Sequence, residues 1–324
     1  MQEADLGRFM PFWRAMPLKV IRRVLEPLIT RDYNSFIVNQ ARMLQPVAFV
    51  TMKGARIAPG TLRSVGAMGI PSLNYYPDFC FSFREVDEDS FHGYAHFFTT
   101  KSYQVAYLRE RLGAGRVSYL PHGYTPDIHH PPANDGAAAK TYQSDLGYVG
   151  NHSAAKERWL SAVRRRLPYA SLRIYGARWR ESAKDEALRA CCVGRTAEGC
   201  EYAQAVYTAR INLAVHMGVA DHTGWQDLTS ARTFEIPACK GFMLHIDNDE
   251  VRSLYTVGDE IDVFKNPDEL CEKIEYYLAH DDQREAMIDR ADCRCVPAYS
   301  YDERAKVISD WIHQQSGDAR HEGQ

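Results

Sequence analysis

No apolar run in this 324-residue chain approaches the roughly 18 to 20 residues that a membrane span needs. The N-terminus also lacks the short apolar core and small-residue cleavage site of a secretion signal, so a cytoplasmic protein is expected. Basic charge is not in excess. A formal net charge of −3 argues against a nucleic-acid binder. The cysteines (Cys80, Cys191, Cys192, Cys200, Cys239, Cys271, Cys293 and Cys295) show no paired C-x2-C spacing with partner histidines. That indicates neither a zinc ribbon nor a disulfide framework, and they read as reduced, mostly buried thiols. No metal motif, internal repeat or low-complexity tract is evident. What is left, a chain that is 45% apolar, is globular and long enough for two domains.

Short β-rich apolar runs alternate with helical patterns. Val47 to Met52, Ser72 to Tyr76, His96 to Thr99 and Val117 to Leu120 occupy the first half. Such alternation predicts α/β layers with a parallel sheet. The stretch PHGYTPDIHHPPANDGAAAKTYQSD after Leu120 is rich in Pro, Gly, Asn and Asp, has no periodicity and reads as a linker. The pattern restarts near Asp145 with Leu146 to Val149, Leu172 to Tyr175, Ile211 to Val215, Phe242 to Ile246 and Ile261 to Phe264. Helical spacing follows over Pro267 to Ala279, Gln283 to Ala291 and Tyr301 to Ile312. The expected domains are 1–135, 145–300 and a C-terminal helix with tail, 301–324.

In a pair of α/β domains, ligand-binding residues belong just after the strands, where the loops converge. Gly150 and Asn151 follow the first strand of the second domain, Gly176 and Trp179 follow the next, and His216 ends the third. From the first domain, Lys53-Gly54, Pro77-Asp78, Lys101 and His122-Gly123 hold equivalent places. The stretch DLTSARTFEIPACKGFML, Asp227 to Leu244, adds a short helix whose first turn carries Ser230, Ala231 and Arg232. Unpaired amides and a guanidinium there suit a diphosphate. Glu235, one turn on, suits the two hydroxyls of a ribose. The same Arg and Glu also fit a plain surface pair on a helix. His122 and His216 stand beside structural alternatives, an exposed turn histidine and a buried one bonded to backbone.

The residues YVGN (Tyr148 to Asn151), Arg158, IYG (Ile174 to Gly176) with Trp179, INL (Ile211 to Leu213) with His216, SARTFE ending at Glu235, and the tail from Glu269 carry a resemblance. So do YYPD (Tyr75 to Asp78), Thr100-Lys101 and LPHGY (Leu120 to Tyr124). Together they resemble the CgeB-like (spore maturation protein) branch of the GT-B glycosyltransferases, over about Asn34 to Trp311. The resemblance implies two Rossmann-like domains facing across a cleft and transfer of a sugar from a nucleotide-diphosphate-sugar donor, held mainly by the second domain, to an acceptor held mainly by the first. No obligatory metal and no cofactor beyond the donor is implied. By analogy with the E-x7-E motif of related retaining enzymes, Glu235 matches the ribose-binding acid and Asp227 falls where the first acid would be. Arg232, the amides around Gly150 and Asn151, and Arg158 are candidates for stabilising the leaving diphosphate. His122 is a candidate for orienting an acceptor hydroxyl or touching the sugar.

One departure concerns the start of the chain. The family's N-terminal domain opens with a strand, a glycine-rich turn, a helix and a second strand, whereas Ala4 to Thr30 is basic and apolar with no such strand. The first strand unit is therefore expected to be missing, through a shortened chain or a degenerate domain. Phe9, Phe12, Trp13, Met16, Val20, Val24 and Leu28 recur near helical spacing among Arg8, Arg14, Lys19, Arg22 and Arg23. Peripheral contact with the inner membrane face through residues 8–29, and packing on the neighbouring sheet, both explain that pattern. Two rival functions stay open: a non-catalytic nucleotide-sugar binding or interaction protein, and a nucleotide-sugar epimerase.

Overall fold

The computed structural model describes residues 19–132, 141–219 and 223–321. The chain forms two compact units, one of the described residues up to Pro121 with those from Gln314 onward, the other of His122–His313. The boundary thus falls at Pro121–His122 rather than at residue 135, and Tyr301–His313 belongs to the second unit. The physical reason lies in the segment expected to be a linker. Tyr124 is buried and exchanges backbone hydrogen bonds with the chain around Ser300, its N–H donating to Tyr299 and its carbonyl accepting from Tyr301.

In the first unit, α1 (Lys19–Leu44) precedes β1 (Phe49–Met52), α2 (Pro59–Gly66), β2 (Ser72–Tyr76), β3 (His96–Thr99), α3 (Gln104–Leu112) and β4 (Val117–Tyr119). The strands pair in parallel in the order β1-β2-β3-β4. Among the described residues no strand precedes β1, and the chain enters the sheet from α1. Ile29, Tyr33, Ile37 and Ala41 recur every fourth residue and are all buried, which gives α1 the single apolar face that packs it onto its own unit. Residues 8–18 of the expected membrane-contacting stretch lie outside the described residues. Among those described, no helix is long and apolar enough to cross a membrane. After β1, the Lys53 ammonium pairs with Asp78 at 2.8 Å and with Glu85 at 2.9 Å, one cation shared by two carboxylates.

In the second unit the order is β5 (Ser144–Val149), α4 (Ala154–Arg166), β6 (Leu172–Tyr175), α5 (Cys200–Tyr207), β7 (Ala209–Ala214), α6 (Arg232–Ala238), β8 (Met243–Ile246), α7 (Asp249–Leu254), β9 (Asp262–Phe264), α8 (Pro267–Ala279), α9 (Asp281–Cys295) and the part up to His313 of α10 (Tyr301–His321), with two short helical turns between β6 and α5. All strands are parallel, in the order β6-β5-β7-β8-β9. Leu146, Ile174, Ile211, Leu213, Leu244 and Phe264 fill the core between sheet and helices. Local chemistry starts the helices: Ser153 accepts from the Lys156 amide, Asn248 from Val251, and Asn266 from Glu269 with Pro267 at the first helical position. The eight cysteines are free, five of them buried.

One buried amide ties the first unit together. Asn34 on α1 donates to the carbonyls of Thr30 at 2.7 Å and Arg56 at 2.8 Å, and accepts from the Ala58 N–H at 2.9 Å and the Thr61 hydroxyl at 2.5 Å. Replacing Asn34 by Leu keeps the volume but strands a buried N–H and hydroxyl at the start of α2. The expected cost is about 2–4 kcal/mol, read as a lower urea midpoint with unchanged slope. A midpoint within error of wild type would show that water satisfies those groups.

Candidate functional site

The chain leaves β5 for β6 on one side and later returns to β7 on the other, so the crevice between the ends of β5 and β7 is the topological switch point of this sheet. Arg232, the first residue of α6, spans it. Its Nη1 donates to the Val149 carbonyl at 3.3 Å and its Nη2 to the Val215 carbonyl at 2.9 Å. The guanidinium lies 5.4 Å from the Tyr148 ring centroid, a cation–π distance. Its Nε is buried without a partner, as are the Tyr148 hydroxyl and the Ser230 Oγ. Buried donors without acceptors are rare enough in folded proteins to mark a place where something else binds.

The glycines on either side are sterically required. A Cβ on Gly150 would fall 2.6 Å from Arg232 Nη1 and 2.8 Å from the Tyr148 hydroxyl, so Gly150 borders the guanidinium directly. A Cβ on Gly176 would fall 2.1 Å from the Gly150 carbonyl oxygen, an impossible contact between two stretches of backbone. The loops after β5 and β6 are thereby pressed together. Asn151 fastens them, its Oδ1 accepting from the Ala177 N–H at 2.9 Å, and Trp179 Nε1 donates to the Gly150 carbonyl at 2.7 Å. Asn151 and Trp179 therefore shape the loop.

A second cation stands beside Arg232. Lys156, in the first turn of α4, is 5% exposed, and its Nζ donates to the Asn151 carbonyl at 3.0 Å. Burial lowers its pKa to about 7, Arg232 and Arg178 push the same way, and Asp227 opposes them. Asp227 is buried within electrostatic reach of both cations. The structure thus gathers Asp227, Arg232, Gly150 and Lys156. Arg158, on the same helix, is exposed and makes no hydrogen bond or ion pair among the described residues; Lys156 is the cation α4 contributes here. The unpaired amides expected at the start of α6 are largely taken. Thr233 donates to the Ser230 carbonyl, Phe234 and Glu235 to that of Ala231, and Ser230 to the Thr233 hydroxyl.

Glu235 lies one turn along α6 from Arg232, on the same side of the helix. Burial raises its pKa, while Tyr202 and Arg232 pull it down without cancelling that effect. His129 Nε2 approaches its Oε1 at 3.6 Å. Tyr301 also feels its charge, and His122 Nδ1 meets the Tyr301 hydroxyl at 3.4 Å, so His122 joins the Glu235 corner through Tyr301. His216 goes elsewhere. It is 2% exposed, and its Nε2 sits 3.0 Å from His245 Nε2, which also meets the Thr233 hydroxyl at 3.0 Å. His245 Nδ1 faces the Ile246 carbonyl at 2.7 Å and so carries the proton, leaving its Nε2 as acceptor. A phosphate contact from His216 would have to come from its other ring nitrogen.

Lys156, His129, Tyr202 and Tyr301 escaped the sequence reading as site residues, and Tyr148 entered it only as the first residue of the YVGN motif. Lys156 had a signal, since it sits three residues after a serine N-cap behind Gly150-Asn151. His129 had none, because it lies in the aperiodic proline-rich stretch. No group of three or more His, Cys, Asp or Glu side chains among the described residues is placed to hold a metal ion.

Residues 153–310 match the sequence family described as glycosyl transferase-like. No curated protein matches the chain in sequence. Among solved structures, sucrose-phosphate synthase from Thermosynechococcus elongatus superposes with a TM-score of 0.65 at 13% identity, over 90% of this chain and 79% of that one. A glycosyltransferase from Rickettsia africae ESF-5 gives 0.66 at 10% identity, over 89% and 82%. Anabaena HepE in complex with UDP gives 0.61 at 8% identity, over 87% and 82%. At such identities the likeness is one of fold: this chain has the α/β fold with parallel sheets of GT-B glycosyltransferase structures.

A lysine that titrates near neutrality predicts a pH-dependent anion site. Lys156 carries its proton below about 7 and loses it above, so affinity for a nucleoside diphosphate should fall as pH rises. Isothermal titration between pH 6.5 and 8.5 should show a loss of roughly tenfold in the wild type and little change in Lys156→Arg, whose charge persists. Equal loss in both proteins would assign the titration to another group.

Proposed function

We propose that this protein is a glycosyltransferase whose second unit binds a nucleotide-diphosphate-sugar donor. The observation that carries the reading is Arg232: a guanidinium held across the switch point by two main-chain carbonyls, its Nε buried and unpaired, with the partly neutral Lys156 at its side. Two cations in a water-poor crevice meet the charge of a diphosphate. They also oppose the negative charge that grows on the β-phosphate as the glycosidic bond breaks. Gly150 lets the phosphate oxygens approach the backbone, and Glu235 accepts hydrogen bonds from ribose hydroxyls. Asp227 lies on the donor-sugar side.

The narrower parts of the reading belong to the same proposal. With Arg232 and Lys156 supplying the positive charge, transfer proceeds without a metal ion. The D-x7-E spacing from Asp227 to Glu235 resembles that of retaining enzymes, so the product keeps the donor's anomeric configuration. The first unit holds the acceptor. The motifs YVGN and SARTFE favour the CgeB-like branch within the glycosyl transferase-like family.

A panel of sugar nucleotides scored by thermal shift, followed by nucleoside-diphosphate release, tests the reading. One donor should stabilise the wild type and not Glu235→Ala, and release should persist in EDTA. Arg232→Ala should lower the rate by roughly two to three orders of magnitude. A folded Arg232→Ala variant with near wild-type turnover would remove that residue from the site. Product analysis separates the rivals: an altered sugar nucleotide means epimerisation, and binding without turnover means a non-catalytic module.

A further inference from the structure

Beside Glu235 stands a residue that neither motif nor spacing points to. His129 is 8% exposed and belongs to the stretch that folds onto the second unit after Pro121. Its Nδ1 accepts from the Thr125 N–H at 2.9 Å, so in the neutral ring the proton sits on Nε2. Nε2 is the atom facing Glu235 Oε1 at 3.6 Å. The ring is held from the side by Tyr202, edge to face at 5.0 Å between centroids. Tautomer and ring placement are therefore set by the local chain, and Nε2 is the ring nitrogen on the side of one carboxylate oxygen.

We infer that His129 is a positioning residue of the donor site, whose Nε2–H dipole, 3.6 Å from Glu235, steers the carboxylate into the orientation in which it accepts from the two hydroxyls of a ribose. The inference rests on the donor-site reading above. Burial keeps the imidazole in its neutral form, with its pKa down at about 4, so at 3.6 Å the contact is the approach of a neutral N–H dipole to the carboxylate, longer than a hydrogen bond and not an ion pair at neutral pH. A carboxylate that swung free would lose the fixed geometry on which two simultaneous hydroxyl contacts depend. His129 thus acts on the sugar of the nucleotide through Glu235 without touching it.

Two substitutions separate this role from a structural one. In His129→Gln the amide nitrogen reaches the place of Nε2 and keeps the donor toward Glu235. In His129→Asn the amide oxygen reaches the place of Nδ1 and keeps the Thr125 contact alone. The probes are ADP, GDP and UDP and their 2′-deoxy counterparts, titrated calorimetrically against wild type and both variants, with melting curves to confirm folding. The wild type should prefer a ribonucleotide over its 2′-deoxy form by roughly tenfold. His129→Gln should keep most of that preference and His129→Asn should lose it, while both still bind the diphosphate. The reverse pattern, equal loss in both, or an unchanged preference in both overturns the assignment to His129 and leaves the donor-site reading standing. A wild type that binds none of the nucleotides overturns the two together.

Discussion

Arg232 anchors the second unit's switch point by an arrangement that asks more of its surroundings than a surface ion pair does. A guanidinium out of water needs acceptors, and two of them are the carbonyls of Val149 and Val215, at the ends of strands β5 and β7. Strand ends offer carbonyls to a side chain because the sheet's own hydrogen bonding stops there. The remaining geometry follows from that placement. Gly150 must lack a side chain because the guanidinium and the Tyr148 hydroxyl fill the space, and Gly176 must lack one because the Gly150 carbonyl does. The parallel pairing of β5 with β6 is what brings these loops so close.

The cost of the arrangement is borne by the groups around it. Lys156 shares the crevice and loses much of its affinity for a proton, while Glu235 is pushed toward its neutral form by burial. Asp227 partly compensates both cations. A site with buried cations and unpaired donors is a poor hydrogen-bonding environment for itself and a good one for an anion with many acceptor oxygens. That asymmetry underlies the donor-site proposal.

The stretch after Pro121 shows how a segment without periodicity is still structurally specific. Tyr124 pairs with the backbone at Ser300, Gly123 admits the Tyr299 carbonyl, and His129 turns back on Thr125 before facing Glu235. None of these contacts repeats every two or every three to four residues. A pattern-based reading returns a linker there, and the boundary moves accordingly.

What the sequence by itself determined is the alternation of strands and helices, the parallel sheets that alternation implies, and the helix starts. Ser72–Tyr76, His96–Thr99, Leu172–Tyr175 and Pro267–Ala279 occupy the ranges that apolar runs and helical spacing predict, because burial on one or both faces writes itself into local composition. Gly150 and Gly176 were legible for the same reason, standing where an apolar run stops, and Arg232 and Glu235 by their spacing in a short helix ahead of one. Which of them share one space was decided only by the tertiary structure. Arg158 and Lys156 are equivalent in composition and two positions apart on one helix, yet a rotation of about 200° around the helix axis leaves one in solvent and buries the other beside Arg232. His129 and Glu235 are separated by most of a domain in sequence, and their meeting depends on where the chain crosses after Pro121. Local composition carries no record of such distant contacts.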